Sequence, residues 1–487
     1  MTRRTLLLVS LLAASHLPAS AAPATSPATS PTTAPATRPS PLVGIWFGPL
    51  DVGPVKLRLA LKVTSKDGKL AATLDSIDQR ANDIPVDAIA LEGDRVKFVM
   101  LTLAASYEGT LAPDGKSVVG TFTQAGRGLP LTLNRAESIP TLARPQEPKP
   151  PLPYEVEEVS YASAAGVKLA GTLTLPKDGK GPFPAVVLIS GSGPQDRDES
   201  LMGHRPFLVL ADALTRRGVA VLRADDRGVG KSTGSFAKAT TDDFATDALA
   251  GVAFLKARAD VDAKRIGLVG HSEGGVVAPL AAARQPADVA FVVLLAGVGE
   301  PMGDLIVRQA GDILRANGVA PELVAKVTAP QKESMAIVAA GGPVEEMRKK
   351  LRDQIARHRA ELTPAERAAV GDNEGADEAA VQMVTTEWFR WLLAYDPAAT
   401  LAKVKCPVLA INGELDLQVA AKPNLTKIAA ALAAGGNKDV TTVELPGLNH
   451  LFQRCKTGSP AEYGTIEEMF NEAALNAVGE WIEKRVR

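Results

Sequence analysis

Cysteine is almost missing from this chain. Its 487 residues contain two, Cys406 and Cys455, far too few for a disulfide scaffold, so stability has to come from packing. Cys406 opens a predicted buried strand and Cys455 follows a loop, and no bridge between them is expected. A surplus of charge is missing as well. Lys and Arg number 54 against 55 Asp and Glu, a formal net charge of −1, and no basic run points to nucleic acid or anionic lipid, which leaves a small, mostly uncharged ligand. Histidine is scarce, five in all. Nowhere do His, Cys or carboxylates fall at metal-ligand spacing, and the expected chemistry requires neither metal nor cofactor. Beyond the first residues no apolar run is long enough to span a bilayer.

What is present begins with "MTRRTLLLVSLLAASHLPASAAP". Arg3 and Arg4 precede an apolar run from Thr5 to Ala14, and Ala19 and Ala21 are spaced for signal peptidase. This predicts a signal peptide over 1–21, cleaved after Ala21, and an exported mature protein, periplasmic or secreted. No cysteine near that site offers a lipid anchor.

Length alone implies more than one domain. Residues 22–41, rich in Pro, Ala, Thr and Ser, have no apolar periodicity and read as an extended tether. From 42 to 135, alternating stretches such as "VKLRLALKV" and "KLAATLDSI" are separated by "KDGK", "EGDR" and "PDGK" at hairpin spacing. That predicts a small antiparallel β domain, a sandwich or partial barrel, in an accessory role. A proline-rich linker over 136–153 follows. From 154 to 487 the strand-length runs "AVVLIS", "VAVLRAD", "RIGLVG", "VAFVVLLAG" and "PVLAING" alternate with helical segments. These are the marks of an α/β fold with a mostly parallel, doubly wound sheet. One helix should start at Thr240 or Thr241 with Asp243 in its first turn, burying a stripe of Phe244, Ala248, Val252 and Leu255. The stretch from about 300 to 396 reads as helices alone, including "AVQMVTTEWFRWLLAYD" as one, and predicts a cap over the carboxyl edge of the sheet. Trp388, Trp391, Leu392 and Tyr395 share one helical face, expected to pack the cap onto the body rather than to line a pocket.

The chemistry centres on "IGLVGHSEGGVVAP". Gly270, Ser272 and Gly274 form G-x-S-x-G between a strand and a helix, the pattern of a strained turn that projects a nucleophilic hydroxyl. A serine needs a base within reach and an acid to hold that base. His16 belongs to the leader, His358 to a charged cap helix and His271 to the elbow itself, packed against the sheet. His204 precedes a helix, where it would cap or line a pocket. His450, on a loop after the strand "VTTVELP", is therefore the base, and the order Ser, acid, His fits this topology. "PVLAINGELDLQV" offers Glu414 and Asp416; the shorter Asp416 is the acid of choice. Oxyanion donors are expected from the backbone N–H of Glu273, at a helix start, and of Ser192, in the glycine-bearing loop "GSGPQDRDE". "RADDRGVGKSTG" lacks the phosphate-loop pattern, and Asp225, Asp226 and Arg227 should form internal polar links.

Together "SGSGPQDRDE", "ADDRGVGKSTG", "GHSEGG" and "NGELDLQV" resemble the α/β-hydrolase superfamily, and within it the EstD-type carboxylesterases and serine aminopeptidase-like hydrolases, over roughly 154–487. The resemblance implies esterase activity on short acyl esters with Ser272, Asp416 and His450 as triad. Ser190 stands where lipases often carry a histidine. The N-terminal β domain resembles accessory domains that precede such enzymes. The leading expectation is an exported serine carboxylesterase acting on a small-molecule ester. Aminopeptidase or thioesterase activity could use the same triad, and a binding protein of this fold that has lost catalysis is a different class, against which the survival of all three residue types argues.

Overall fold

The computed structural model describes residues 40–51, 56–77, 81–124, 127–139, 143–177, 181–370 and 374–487. The leader and nearly all of the first tether lie outside the described residues. The chain forms two compact units, divided after Leu142.

The first unit consists of nine strands, β1 (Gly44–Asp51), β2 (Lys56–Lys66), β3 (Lys69–Ser76), β4 (Ala81–Val86), β5 (Ala88–Glu92), β6 (Arg95–Met100), β7 (Ala105–Leu111), β8 (Ser117–Gln124) and β9 (Arg127–Ala136). They make one antiparallel sheet in the order β4-β3-β2-β1-β9-β8-β7-β6-β5. Period-two alternation sets the inner face: in β6, Val96, Phe98 and Met100 are buried while Arg95, Lys97 and Val99 face out. The sheet curls so that β3 approaches β5 and β4 approaches β6, which makes it a partial barrel and not a sandwich. Large side chains fill the interior, among them Trp46, Leu61, Leu74 and Phe98. Tyr107 stacks on Phe98 at 5.0 Å and donates its buried hydroxyl to the carbonyls of Val118 and Leu131, both at 3.1 Å.

The second unit opens with an antiparallel hairpin, β10 (Tyr154–Ala162) and β11 (Lys168–Pro176). Six strands follow: β12 (Phe183–Ile189), β13 (Ala220–Ala224), β14 (Val261–His271), β15 (Phe291–Leu295), β16 (Val408–Gly413) and β17 (Val440–Leu445). The order is β10-β11-β13-β12-β14-β15-β16-β17, parallel from β13 to β17. Strand β12 is buried on both faces because its alternate residues serve two cores. Ala185 and Val187 join α2 (Thr241–Lys256), α3 (Gly274–Arg284) and α11 (Ala421–Ala434) on one side, and Val186 and Leu188 join α1 (Pro206–Arg216) and α12 (Glu472–Val486) on the other. Helix α2 starts as the sequence predicts, with a capping box between Thr240 and Asp243.

Between β15 and β16 the chain is helical: α4 (Met302–Ala316), α5 (Pro321–Ala339), α6 (Val344–Glu361), α7 (Pro364–Val370), α8 (Glu374–Val384), α9 (Glu387–Ala394) and α10 (Pro397–Leu401). The segment expected as one helix is two. The chain breaks at Thr385 and Thr386, where the Thr386 hydroxyl accepts the Phe389 N–H at 3.2 Å and starts α9 afresh. Tyr395 thus lies just past the end of α9, stacked on Trp391 at 5.3 Å. The cap core, with Met302, Leu305, Phe389 and Leu392, continues into Val276 of α3 and Val419, which seats the cap on the body.

Candidate active site

Strand β14 ends at His271 and α3 starts at Gly274, so the chain reverses direction across Ser272 and Glu273. Ser272 sits at φ +53°, a left-handed conformation that costs a non-glycine residue about 1–3 kcal/mol. Hydrogen bonds hold it there: its N–H donates to Leu295 of β15 and its carbonyl accepts the Gly275 N–H, both at 2.9 Å. The flanking glycines are required by space. A Cβ on Gly270 would lie 2.0 Å from the Gly274 oxygen, and one on Gly274 would lie 2.2 Å from the Ile189 oxygen.

His450 and Asp416, the base and acid expected from the sequence, lie side by side. His450 Nδ1 lies 2.8 Å from Asp416 Oδ2, while Asp416 Oδ1 accepts the amides of Gln418 and Val419 at 2.8 Å each. An imidazole that donates its Nδ1 proton to that carboxylate leaves its Nε2 lone pair to accept one. The two loops can touch because Gly413 ends β16: a Cβ there would stand 2.3 Å from the Leu448 oxygen and 2.6 Å from that of Asn449. Asn449 Oδ1 in turn accepts the amides of Leu451 and Gln453, shaping the turn that carries His450. Glu414 lies apart, its carboxylate accepting the Gly447 N–H at 2.9 Å.

The loop after β12 lies against Ser272. A Cβ on Gly191, the residue before Ser192, would be 3.2 Å from Ser272 Cβ. Ser190, in the place of the lipase histidine, donates its hydroxyl to Asp226 at 3.1 Å, and Gln195 N–H donates to the same carboxyl at 2.9 Å. Burial pushes Asp226 well above the usual carboxylate range. The remaining polar links form too, Asp225 with Arg197 and Arg227 with Asp243 and Asp247.

Glu273 places its amide at the start of α3, where the helix dipole favours an anion. Its side chain was not legible as a partner of anything. It is buried, and Oε1 accepts both the Thr241 hydroxyl at 2.7 Å and the Trp388 indole N–H at 2.8 Å. Burial raises its pKa above the ordinary value. The other histidines also find partners. The His204 ring is buried between the Tyr463 carbonyl at 2.7 Å and Gln453 at 3.0 Å. His358 pairs with Glu333 and Glu361 on the cap surface. His271 bonds Glu199 and the His450 backbone, and Glu199 is a residue that sequence reasoning missed. His16 lies outside the described residues.

Cys406 and Cys455 are unbridged, and burial pushes both thiols up to about 11. Among the described residues no group of three or more His, Cys, Asp or Glu is arranged to hold a metal ion, and no helix is long and apolar enough to cross a membrane.

A parallel sheet in this strand order, with a serine elbow after β14, an acid after β16 and a histidine after β17, defines an α/β-hydrolase. Residues 165–440, more than half of the chain, match the X-Pro dipeptidyl-peptidase (S15) family, and the chain belongs to that family. The matched span contains Ser272 and Asp416 and stops before His450. Esterase EstD of Thermotoga maritima is 28% identical over 317 residues, 65% of this chain and 66% of the relative, so the match spans just under two thirds of that protein. Among solved structures, Est1E of Butyrivibrio proteoclasticus with bound ferulic acid is 20% identical over 67% of this chain and 99% of its own, with a TM-score of 0.40. An esterase of Pyrococcus furiosus is 17% identical over 72% and 100%, also with a TM-score of 0.40. At those scores the two structures add nothing to the assignment.

Proposed function

We propose that the protein is a serine carboxylesterase that cleaves short-acyl esters through an acyl-enzyme. Ser272 Oγ attacks the ester carbonyl as His450 Nε2 takes its proton; the tetrahedral oxyanion is met by the Glu273 and Ser192 N–H groups. His450 then protonates the departing alcohol. Water, deprotonated by the same imidazole, attacks the acyl-enzyme and releases the acid with Ser272 restored. Asp416 holds the imidazole and offsets the charge it acquires. The observation that carries this reading is the His450–Asp416 pair at 2.8 Å, at the carboxyl ends of the strands beyond a serine held at φ +53°.

The family description names a dipeptidyl-peptidase, and a peptidase of that kind has to anchor a free α-amine. Carboxyl groups near the elbow are engaged internally, Glu273 by Thr241 and Trp388, Glu199 by Gly191 and His271, and Asp226 by Ser190 and Gln195. That favours an ester with no amine to anchor, in line with the esterase named as a relative. The test is covalent: a fluorophosphonate probe followed by peptide mass analysis should place one adduct on Ser272 of the wild type and none on Ser272→Ala. An unlabelled wild type overturns the reading.

Export belongs to the same proposal and is supported by the leader over 1–21. Mature protein recovered outside the cytoplasm should begin at Ala22; a cytoplasmic protein with its leader intact would contradict it.

A further inference from the structure

We infer that Glu199 and His271 form a buried clamp that holds the base loop and the oxyanion loop in place on either side of Ser272. The inference rests on the function proposed above and makes both of them positioning residues. Glu199 Oε1 accepts the Gly191 N–H at 2.6 Å and faces His271 Nδ1 at 2.8 Å. From the far side of the same ring, Nε2 donates to the backbone carbonyl of His450 at 3.0 Å. One path of hydrogen bonds therefore runs from the residue beside the expected oxyanion donor, through the residue before the nucleophile, to the base.

The partners of the ring constrain its state. A carbonyl can only accept, so Nε2 carries a proton; Nδ1 carries one too when Glu199 is ionised, since a carboxylate can only accept. In that state His271 is an imidazolium paired with Glu199, both nearly inaccessible at 6% and 4% exposure. Burial by itself would lower the pKa of this histidine, and Glu199 with its hydrogen bond outweighs that and raises it. Removing either partner leaves the other as a buried group without its counterpart, which favours local rearrangement of the loops.

The clamp is built on a braced turn. Glu199 adopts φ +51°, a conformation that persists in a non-glycine residue only where its surroundings determine it. Its N–H donates to the Asp196 carbonyl at 2.9 Å, and Asp196 Oδ1 accepts the amides of Asp198 and Ser200 at 3.0 Å each. Asp198 is paired with the buried Arg223. A Cβ on Gly191 would stand 3.2 Å from both Glu199 Oε1 and Ser272 Cβ, so clamp, loop and nucleophile are in contact. Glu199 acts through the Gly191 amide and His271 through the His450 carbonyl. Displacements of an ångström in either loop are enough to cost two orders of magnitude in rate.

The test measures the rate of fluorophosphonate labelling of Ser272 in the wild type, Glu199→Ala, His271→Ala, the double variant and Glu199→Gln, with thermal unfolding of each. Alongside it, 15N-histidine spectra of the wild type read the His271 ring. Each alanine should slow labelling about 10- to 100-fold, the double variant should be no slower than the slower single, and Glu199→Gln, which keeps an oxygen in place, should recover to within about fivefold. His271 should show both ring nitrogens protonated near neutral pH. Folded alanine variants that label within about twofold of wild type, losses that multiply in the double variant, or a singly protonated His271 ring would each overturn the clamp. If the alanine variants fail to fold, the glutamine variant and the wild-type spectrum decide. An unlabelled wild type would defeat the serine-hydrolase reading instead, and the spectrum would still judge the pair.

Discussion

The indole N–H of Trp388, in the cap, donates to Glu273 Oε1 at 2.8 Å, and Glu273 is the residue after the nucleophile. Beside the apolar core that the cap shares with Val276 and Val419, this one hydrogen bond links the cap to the elbow. Trp388→Phe keeps an aromatic ring, though a smaller one, and removes the donor. It should lower stability by about 1 kcal/mol, since Thr241 still serves the carboxyl, and should widen the range of acyl chains accepted. Unfolding curves and a p-nitrophenyl ester series from acetate to palmitate check both; an unchanged chain-length profile would separate the cap from selectivity.

The raised pKa of Glu273 has a consequence for stability. An acid whose pKa is higher folded than unfolded binds more protons in the folded state between the two values, so stability falls as pH rises from its ordinary value of 4.5 toward the folded one. Glu273→Gln removes that loss. The variant should gain on wild type as pH is raised from about 4 to about 8 in urea unfolding. A pH-independent difference would mean that the carboxyl is already ionised in acid.

Asp416 and Glu414 separate cleanly by contact. Asp416→Asn keeps the shape and loses the charge that fixes the His450 tautomer, and kcat should fall about 10³- to 10⁴-fold with little change in KM. Glu414→Gln, which alters only an exposed turn bond to Gly447, should stay within about threefold. Equal losses in the two would reopen the choice of acid.

Gly270→Ala and Gly274→Ala introduce a Cβ at 2.0 and 2.2 Å from backbone oxygens. Backbone cannot yield that far without unmaking the elbow, so each should cost more than about 3 kcal/mol or abolish soluble expression. Gly218→Ala, with nothing within 4 Å of its Cβ but φ at +88°, should cost only about 1 kcal/mol.

Much of this site is readable from the chain because its parts are local. The elbow shows as G-x-S-x-G between a strand and a helix, and the acid and base each follow a recognisable strand. Glu199 was not legible: 72 residues separate it from His271, and no periodicity links a loop glutamate to an elbow histidine. The Glu273 partners Thr241 and Trp388 come from α2 and α9, elements whose meeting only the fold decides. The break between α8 and α9 was missed because threonine sits acceptably in a helical pattern, and its capping hydroxyl outweighs the apolar periodicity that continues past it. In the first unit the hairpin signals gave strands and turns, but closure into one curled sheet depends on pairing between β1 and β9, far apart in sequence.

Ester and peptide chemistry are separated by comparing turnover of p-nitrophenyl acetate with that of an X-Pro dipeptidyl p-nitroanilide, using wild type and Ser272→Ala. A serine carboxylesterase should hydrolyse the ester rapidly, lose that activity with Ser272, and cleave the anilide far more slowly. Ester turnover that survives Ser272→Ala, or anilide cleavage faster than ester turnover, would rule out a serine carboxylesterase.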